Sequence, residues 1–330
     1  MLEQLLRRLE AHEKAVLSPE LGTRLSTLGR AAASARRRGA PMRNVLFHGT
    51  PGTGKTMAAL ELARHSGLDY AVMTGGDVAP MGKEAVTEIH ALFKWASRSR
   101  KGLVLFIDEA DAFLRCRDAA GVDGGERMSE GVRSALNALL YCTGGASSTV
   151  MLVLASNRPE DLDSAVLDRM DEAVFFDLPR KAERLEILRR QLHKFFPANA
   201  NRSTLYKLAR RIFGRPEPPV LCASDADLMA AAEATEGFSG RQIGKLASAA
   251  QAAAFACEGS GDAVLDSAML RATVEQKRDQ KRSKAAFLTG IRGGTARGSI
   301  PQATVSISAA RGGVHHSKAA PPKGDASKGA

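Results

Sequence analysis

Gly49-Thr50-Pro51-Gly52-Thr53-Gly54-Lys55-Thr56 limits what this chain can fold into more than any other stretch. It follows the apolar run Asn44-Val45-Leu46-Phe47 and precedes a helical stretch. A glycine-rich turn of this spacing has a physical use where a strand hands over to a helix. Its glycines let backbone N–H groups turn inward around phosphate oxygens, and the helix N-terminus favours anions. The expected ligand is a nucleoside triphosphate cradled by Gly49, Thr50, Pro51, Gly52, Thr53 and Gly54. Lys55 would reach the β- and γ-phosphates, and the Thr56 hydroxyl would ligate Mg²⁺.

Two later apolar runs end in residues suited to the same ligand. Leu103-Val104-Leu105-Phe106-Ile107-Asp108-Glu109 reads as a fully buried parallel strand with two carboxylates at its C-terminal edge. Open α/β sheets bind ligands at that edge. Asp108 would hold Mg²⁺, directly or through water, and Glu109 would polarise the water that attacks the γ-phosphate. Val150-Met151-Leu152-Val153-Leu154-Ala155 ends in Ser156-Asn157, which sets Asn157 beside the phosphate loop, able to hydrogen-bond the attacking water or the γ-phosphate. An isolated Asn after a strand is otherwise a turn former.

The segment from Leu162 to Glu172, followed by Ala173-Val174-Phe175-Phe176-Asp177-Leu178-Pro179, resembles the second region of homology of AAA ATPases. The resemblance implies ATP as the nucleotide and a homo-oligomer, a hexameric ring in the family. It also implies that Arg169 acts as an arginine finger on the neighbouring subunit's ATP. A guanidinium suits that task because it stays charged and binds phosphate in a bidentate fork. After Pro179 the pattern becomes helical, with Leu185, Ile187, Leu188 and Leu192 among many charges, and an Ala-rich stretch from Ala223 to Ala256 broken at Glu236-Gly237-Phe238-Ser239-Gly240. Gly237-Phe238-Ser239-Gly240-Arg241-Gln242-Ile243 resembles the start of the AAA lid helix that faces nucleotide, with Arg241 at the sensor-2 position. The alternative for Arg241 is a solvated side chain in a first helical turn.

Residues His65 to Gly82, Ile107 to Leu114 and Leu154 to Glu160 narrow the resemblance to a mitochondrial inner-membrane branch of the family, over residues 15 to 280. That branch implies a mitochondrial location, on the inner membrane or its matrix side. It also implies membrane-associated or nucleoid partners and a part in mitochondrial membrane and nucleoid organisation. Its members carry an additional N-terminal half with coiled-coil and membrane-associated segments, which this sequence does not include. Three departures matter. Thr50 replaces a usual Pro at a position whose side chain does not touch phosphate. Glu172 stands where many members have a second arginine, leaving Arg169 as the finger. The pore loop reads Pro80-Met81-Gly82, without the aromatic residue of unfoldases, which weakens the case for threading polypeptide.

The expected fold is α/β: a P-loop AAA module with a five-stranded parallel sheet flanked by helices, followed by a small helical lid. Strands are expected near Val45 to His48, Tyr70 to Met73, Leu103 to Ile107, Val150 to Ala155 and Ala173 to Phe176. Residues 1–39 read as a helical or linker segment, 40–178 as the large α/β subdomain, 179–282 as the lid and 283–330 as a disordered basic tail. The net charge of +11 points towards nucleic acid, but Lys281 to Ala330 holds nine Lys and Arg against the single acid Asp325, leaving about +3 for the rest. Nucleic-acid or anionic-lipid contact is thus an expectation for the tail alone, where a solvated extension is the simpler reading.

No run approaches the roughly 18 apolar residues of a membrane span. Cys116, Cys142, Cys222 and Cys257 form no C-x-x-C pair and suit a reducing compartment. Leu2, Leu5, Leu6 and Leu9 mark one face of a short helix, and Glu3, Glu10 and Glu13 argue against a targeting signal. His12-Glu13 lacks the second His of a zinc-protease motif, position 16 being Val16. Three functional readings follow. The first is an ATP-hydrolysing ring remodeller, and the second a nucleotide-gated scaffold with slow turnover. The third is a DNA-directed AAA ATPase, against which the lack of a basic stripe with interleaved aromatics speaks.

Overall fold

A computed structural model describes residues 15–78, 81, 84–114, 130–196, 220–256 and 264–292. In chain order the elements are α1 (Pro19–Arg38), β1 (Val45–Gly49), α2 (Lys55–Ser66), β2 (Asp69–Thr74), α3 (Gly75–Val78), α4 (Glu84–Arg98), β3 (Leu103–Asp108), α5 (Ala110–Phe113) and α6 (Glu130–Cys142). There follow β4 (Val150–Ser156), α7 (Ser164–Leu167), β5 (Glu172–Phe176), α8 (Lys181–Phe195), β6 (Val220–Leu221), α9 (Asp225–Ala234), α10 (Gly240–Ala256), β7 (Val264–Leu265) and α11 (Ser267–Arg292).

β1 to β5 form one sheet in the order β2-β3-β4-β1-β5, and every neighbouring pair is parallel. Each expected strand lies within one residue of the observed one. The central strands β3 and β4 read as nearly continuous apolar runs because both of their faces are covered, whereas the edge strand β5 leaves Ala173 and Phe175 exposed. On one face Leu46, Leu103, Leu105, Ile107, Leu152 and Leu154 pack with Ile89 and Leu92 of α4 and Leu136 and Leu139 of α6. On the other, Val45, Phe47, Val104, Phe106 and Val153 pack with Leu25 and Leu28 of α1 and Ala58 and Leu62 of α2.

The helix expected only as part of a leading segment therefore belongs to the α/β core. α1 starts cleanly, with Ser18 Oγ accepting from the Leu21 N–H and Pro19 in the first turn. Its buried residues Leu25, Leu28, Gly29 and Ala32 recur at helical spacing. At Gly29 it touches α2 so closely that a Cβ would lie 2.6 Å from His65 Cβ and 3.0 Å from the Leu62 carbonyl oxygen. Near its end, Arg36 donates to the carbonyls of Ser99, Arg100 and Ser148, tying α1 to the far end of the sheet.

A third core gathers Leu188 and Leu192 of α8, Leu228 of α9, Ile243 and Leu246 of α10, and Leu270 and Val274 of α11 around Phe238. Asp227 locks α9 to α11. It accepts hydrogen bonds from Ser224, Ser267 and Arg271, which hold its carboxyl well below the usual carboxylate range.

The stretch after Pro179 is mainly helical, and it adds one short parallel pair, β6 with β7, Val220 beside Val264 and Leu221 beside Leu265. α11 extends from Ser267 through Arg292. The remaining tail, the Leu2 to Leu9 face, Cys116 and Cys257 lie outside the described residues. Cys142 and Cys222 are free thiols. Among the described residues no helix is long and apolar enough to cross a membrane.

Candidate functional site

β1 runs out at the C-terminal edge of the sheet, and the phosphate loop carries the chain from Gly49 into α2. Gly54 caps α2 at φ 97° with no side-chain cap, and the first turn holds no acid. The N–H groups left without intrahelical partners there are open to an anion. Lys55 is only 7% exposed, and its Nζ donates to the Gly49 carbonyl (2.8 Å), the Thr50 carbonyl (3.0 Å) and Asn157 Oδ1 (2.7 Å). Burial pulls the ammonium below the ordinary lysine value; Asp108 and Asp111 oppose that and Arg241 adds to it. Beside it, Thr56 Oγ1 donates to Asp108 Oδ2 at 2.6 Å. A hydroxyl paired with a carboxylate is an all-oxygen donor set that fits Mg²⁺ together with phosphate oxygens.

Glu109 follows at φ 50°, the one non-glycine residue at positive φ among the described residues. A left-handed backbone at such a residue costs roughly 1–2 kcal/mol and tends to persist where function holds it. Here it turns the chain sharply from β3 into α5, and the Glu109 N–H donates to Asp108 Oδ1 at 2.9 Å. Asp108, half-buried and holding Thr56, and Glu109, exposed, thus both line the cleft.

Asp111 is a site residue that the sequence reading missed. Its Oδ1 accepts from Ser156 Oγ (3.0 Å) and from the Asn157 N–H (3.4 Å). Ser156 is fully buried and its Oγ accepts from the Arg158 N–H at 2.9 Å. Asp111 therefore fixes the end of β4 that presents Asn157 to Lys55. The available signal was a third acid three positions after Asp108, on the helical turn leaving the same strand edge.

The lid closes the other side. The Arg241 N–H donates to the Gly52 carbonyl at 3.3 Å. Gly52 has φ 81°, and a Cβ there would lie 2.8 Å from Arg241 Cβ and 3.0 Å from Ser239 Oγ, so glycine is required both for the turn and for the approach. Arg241, Gly244, Lys245 and Ser248 share one face of α10 and line the cleft, a spacing visible in the sequence once the helix is placed. The cleft has a volume of about 940 Å³, and Leu17, Leu21 and Ile187 give it an apolar wall suited to a base.

Arg169 is not among the residues lining this cleft. Its Nη1 donates to the Ala165 carbonyl on α7, and its Nε is buried without a hydrogen-bond partner. Asn44 grips this segment, donating through Nδ2 to the Arg169 carbonyl and through its N–H to Asp171 Oδ2. Glu172 pairs with Arg24 at 2.7 Å, so the position of a second finger serves to tie β5 to α1. Met81 is half-buried against the core, while Pro80 and Gly82 lie outside the described residues.

Residues 45–178 match the family model "ATPase family associated with various cellular activities (AAA)". ATPase family AAA domain-containing protein 3 of Bos taurus is 47% identical over 292 residues, covering 86% of this chain and 46% of that protein. ATPase family AAA domain-containing protein 3A of Homo sapiens is 46% identical over 286 residues, covering 86% of this chain and 45% of that protein. The chain thus spans under half the length of these curated relatives. Among solved structures, the FIGL-1 AAA domain in complex with ADP has a TM-score of 0.60 at 21% identity, covering 84% of this chain and 90% of that one, a likeness of fold.

Proposed function

This chain belongs to the AAA family of ATPases, and on that premise we propose that it binds Mg²⁺-ATP in the cleft between sheet and lid and hydrolyses it within a homo-oligomeric ring. The observation that carries the reading is the convergence of Lys55, Thr56, Asp108, Glu109, Asn157 and Arg241 on that one cleft, or on one another at its wall. Residues 49–54 would hold the phosphates through backbone N–H groups, and Lys55 would bind the β- and γ-phosphates. Thr56 and Asp108 would hold Mg²⁺, which neutralises charge on the phosphate oxygens. Glu109 would take a proton from the attacking water, with Asn157 orienting that water and Arg241 steadying the γ-phosphate. Arg169, lying apart from its own chain's cleft, would serve a neighbour's, where such fingers contribute about 10³ to 10⁵ in rate.

The resemblance to ATPase family AAA domain-containing protein 3 supports a place in mitochondrial membrane and nucleoid organisation, with membrane-associated or nucleoid partners. A nucleotide-gated scaffold with slow turnover is the second reading. It is favoured by Met81, which rests against the core where an unfoldase would present a gripping residue.

Mixing two inactive variants tests the shared site. Arg169→Ala chains keep an intact phosphate loop, and Lys55→Ala chains keep an intact finger. Co-assembled, they rebuild complete sites and recover part of the wild-type turnover. A verified mixed assembly as inactive as either parent, with wild-type activity per chain independent of concentration, would refute the shared site and favour the scaffold.

A further inference from the structure

Lys281, on α11, reaches across the lid to the turn from which α10 starts. Its Nζ donates to the Gly237 carbonyl and stands 4.7 Å from the centroid of the Phe238 ring. That ring is 4% exposed, within the lid core. Gly237 sits at φ 73°, and a Cβ there would come within 3.2 Å of the same Nζ. The turn therefore has a backbone shape that other residues rarely adopt, and an ammonium seated directly on it. The seat is partly buried, which pulls the Lys281 ammonium below the ordinary lysine value.

From this turn the next three residues meet the phosphate loop. Ser239 Oγ and Arg241 Cβ lie 3.0 and 2.8 Å from where a Cβ at Gly52 would be. A Cβ on Gly240 would lie 3.3 Å from the Gly52 carbonyl oxygen, and that oxygen accepts from the Arg241 N–H. Ser239 and Gln242 close the helix start reciprocally, Ser239 N–H donating to Gln242 Oε1 at 2.9 Å and Gln242 N–H to Ser239 Oγ at 3.4 Å. Few degrees of freedom remain between the ammonium on Gly237 and the backbone and Cβ of Arg241, from which its exposed side chain starts.

We propose that Lys281 is a positioning residue for the nucleotide site: it clamps the Gly237–Phe238 turn and so sets Arg241 against the phosphate loop. The inference rests on the reading of the cleft as an ATP site, but not on hydrolysis. It makes α11, which runs on through Arg292, part of the apparatus that fixes nucleotide affinity, so that a change at this helix is felt at the phosphates through Arg241.

The test is a double-mutant cycle on the whole chain, read as affinity for a fluorescent non-hydrolysable ATP analogue with Mg²⁺. Lys281→Met keeps the apolar stem and removes the charge, and its expected effect is a three- to tenfold loss of affinity, an order-of-magnitude figure for one cation–π contact and one hydrogen bond. Lys281→Arg should recover most of that loss. In an Arg241→Ala background, Lys281→Met should cost nothing further, because the residue it positions is gone. Hydrogen exchange provides a readout without nucleotide: the Arg241 amide should lose protection in Lys281→Met while amides of α8 keep theirs. Wild-type affinity in Lys281→Met, or the same loss with and without Arg241, overturns the proposal. A wild-type chain that binds the analogue and shows this coupling yet does not hydrolyse ATP would sink the enzyme reading and leave the inference standing.

Discussion

The Lys55 ammonium stands 2.7 Å from Asn157 Oδ1, joining the phosphate loop after β1 to the end of the neighbouring strand β4. Two further acceptors, the Gly49 and Thr50 carbonyls, come from the loop itself and hold the ammonium there without Asn157. Lys55→Ala should weaken ATP affinity by about 10- to 100-fold, the worth of a hydrogen bond to a charged group. Asn157→Ala should leave affinity within about threefold and lower turnover by roughly 10² to 10³, as for loss of one donor at the reacting centre. Titration calorimetry and steady-state kinetics on the two variants check both.

Because burial lowers the Lys55 value, with Arg241 adding and Asp108 and Asp111 opposing, its ammonium gives up the proton sooner than an ordinary lysine as pH rises. Phosphate binds the protonated form. Nucleotide affinity should therefore be full near neutral pH and fall as pH rises through that lowered value. Arginine stays charged across this range, so Lys55→Arg should flatten the alkaline limb of an affinity-versus-pH profile even if its affinity is lower throughout.

Gly29 is the contact point of α1 and α2. Gly29→Ala forces a methyl group against His65 Cβ and the Leu62 carbonyl, both on a helix already packed on the sheet. The expected cost is about 1–3 kcal/mol, typical of overpacking and larger than the helix-propensity gain from Gly to Ala. Urea unfolding measures it, and a stabilised variant would mean that the two helices are free to separate.

How far the sequence revealed this molecule depended on where the physics is local. β3 and β4 were legible because burial on both faces makes each an almost unbroken apolar run, β1, β2 and β5 from shorter apolar runs in the same series, and the phosphate loop because its chemistry fixes its own spacing. Asp108 and Glu109 were legible from their place at a strand end. The role of α1 was not, since its buried face is only two leucines, a glycine and an alanine in a stretch rich in Ala and Arg. β6 and β7 are two residues each, too short for any period, and they meet only through tertiary pairing. The length of α11 was obscured because residues near 283–287 are exposed; Lys284, Ala285 and Ala286 support a helix by propensity without a core to reveal it. Asp111 was legible only as a third acid just past Asp108, its contacts lying on β4, and Lys281 touches a turn 44 residues away, so nothing in its own neighbourhood announced it.

The central claim is that this cleft hydrolyses ATP with Glu109 as the base, and Glu109→Gln measures it most directly. The amide keeps the size and the cleft-facing position but cannot take a proton. The variant should bind Mg²⁺-ATP with affinity within about twofold of wild type and hydrolyse it about 10² to 10⁴ times more slowly. Binding and turnover should therefore separate in one protein, by equilibrium binding and by phosphate release. Glu109→Gln turning over ATP at the wild-type rate would contradict the assignment of the base and with it the mechanism built on this cleft.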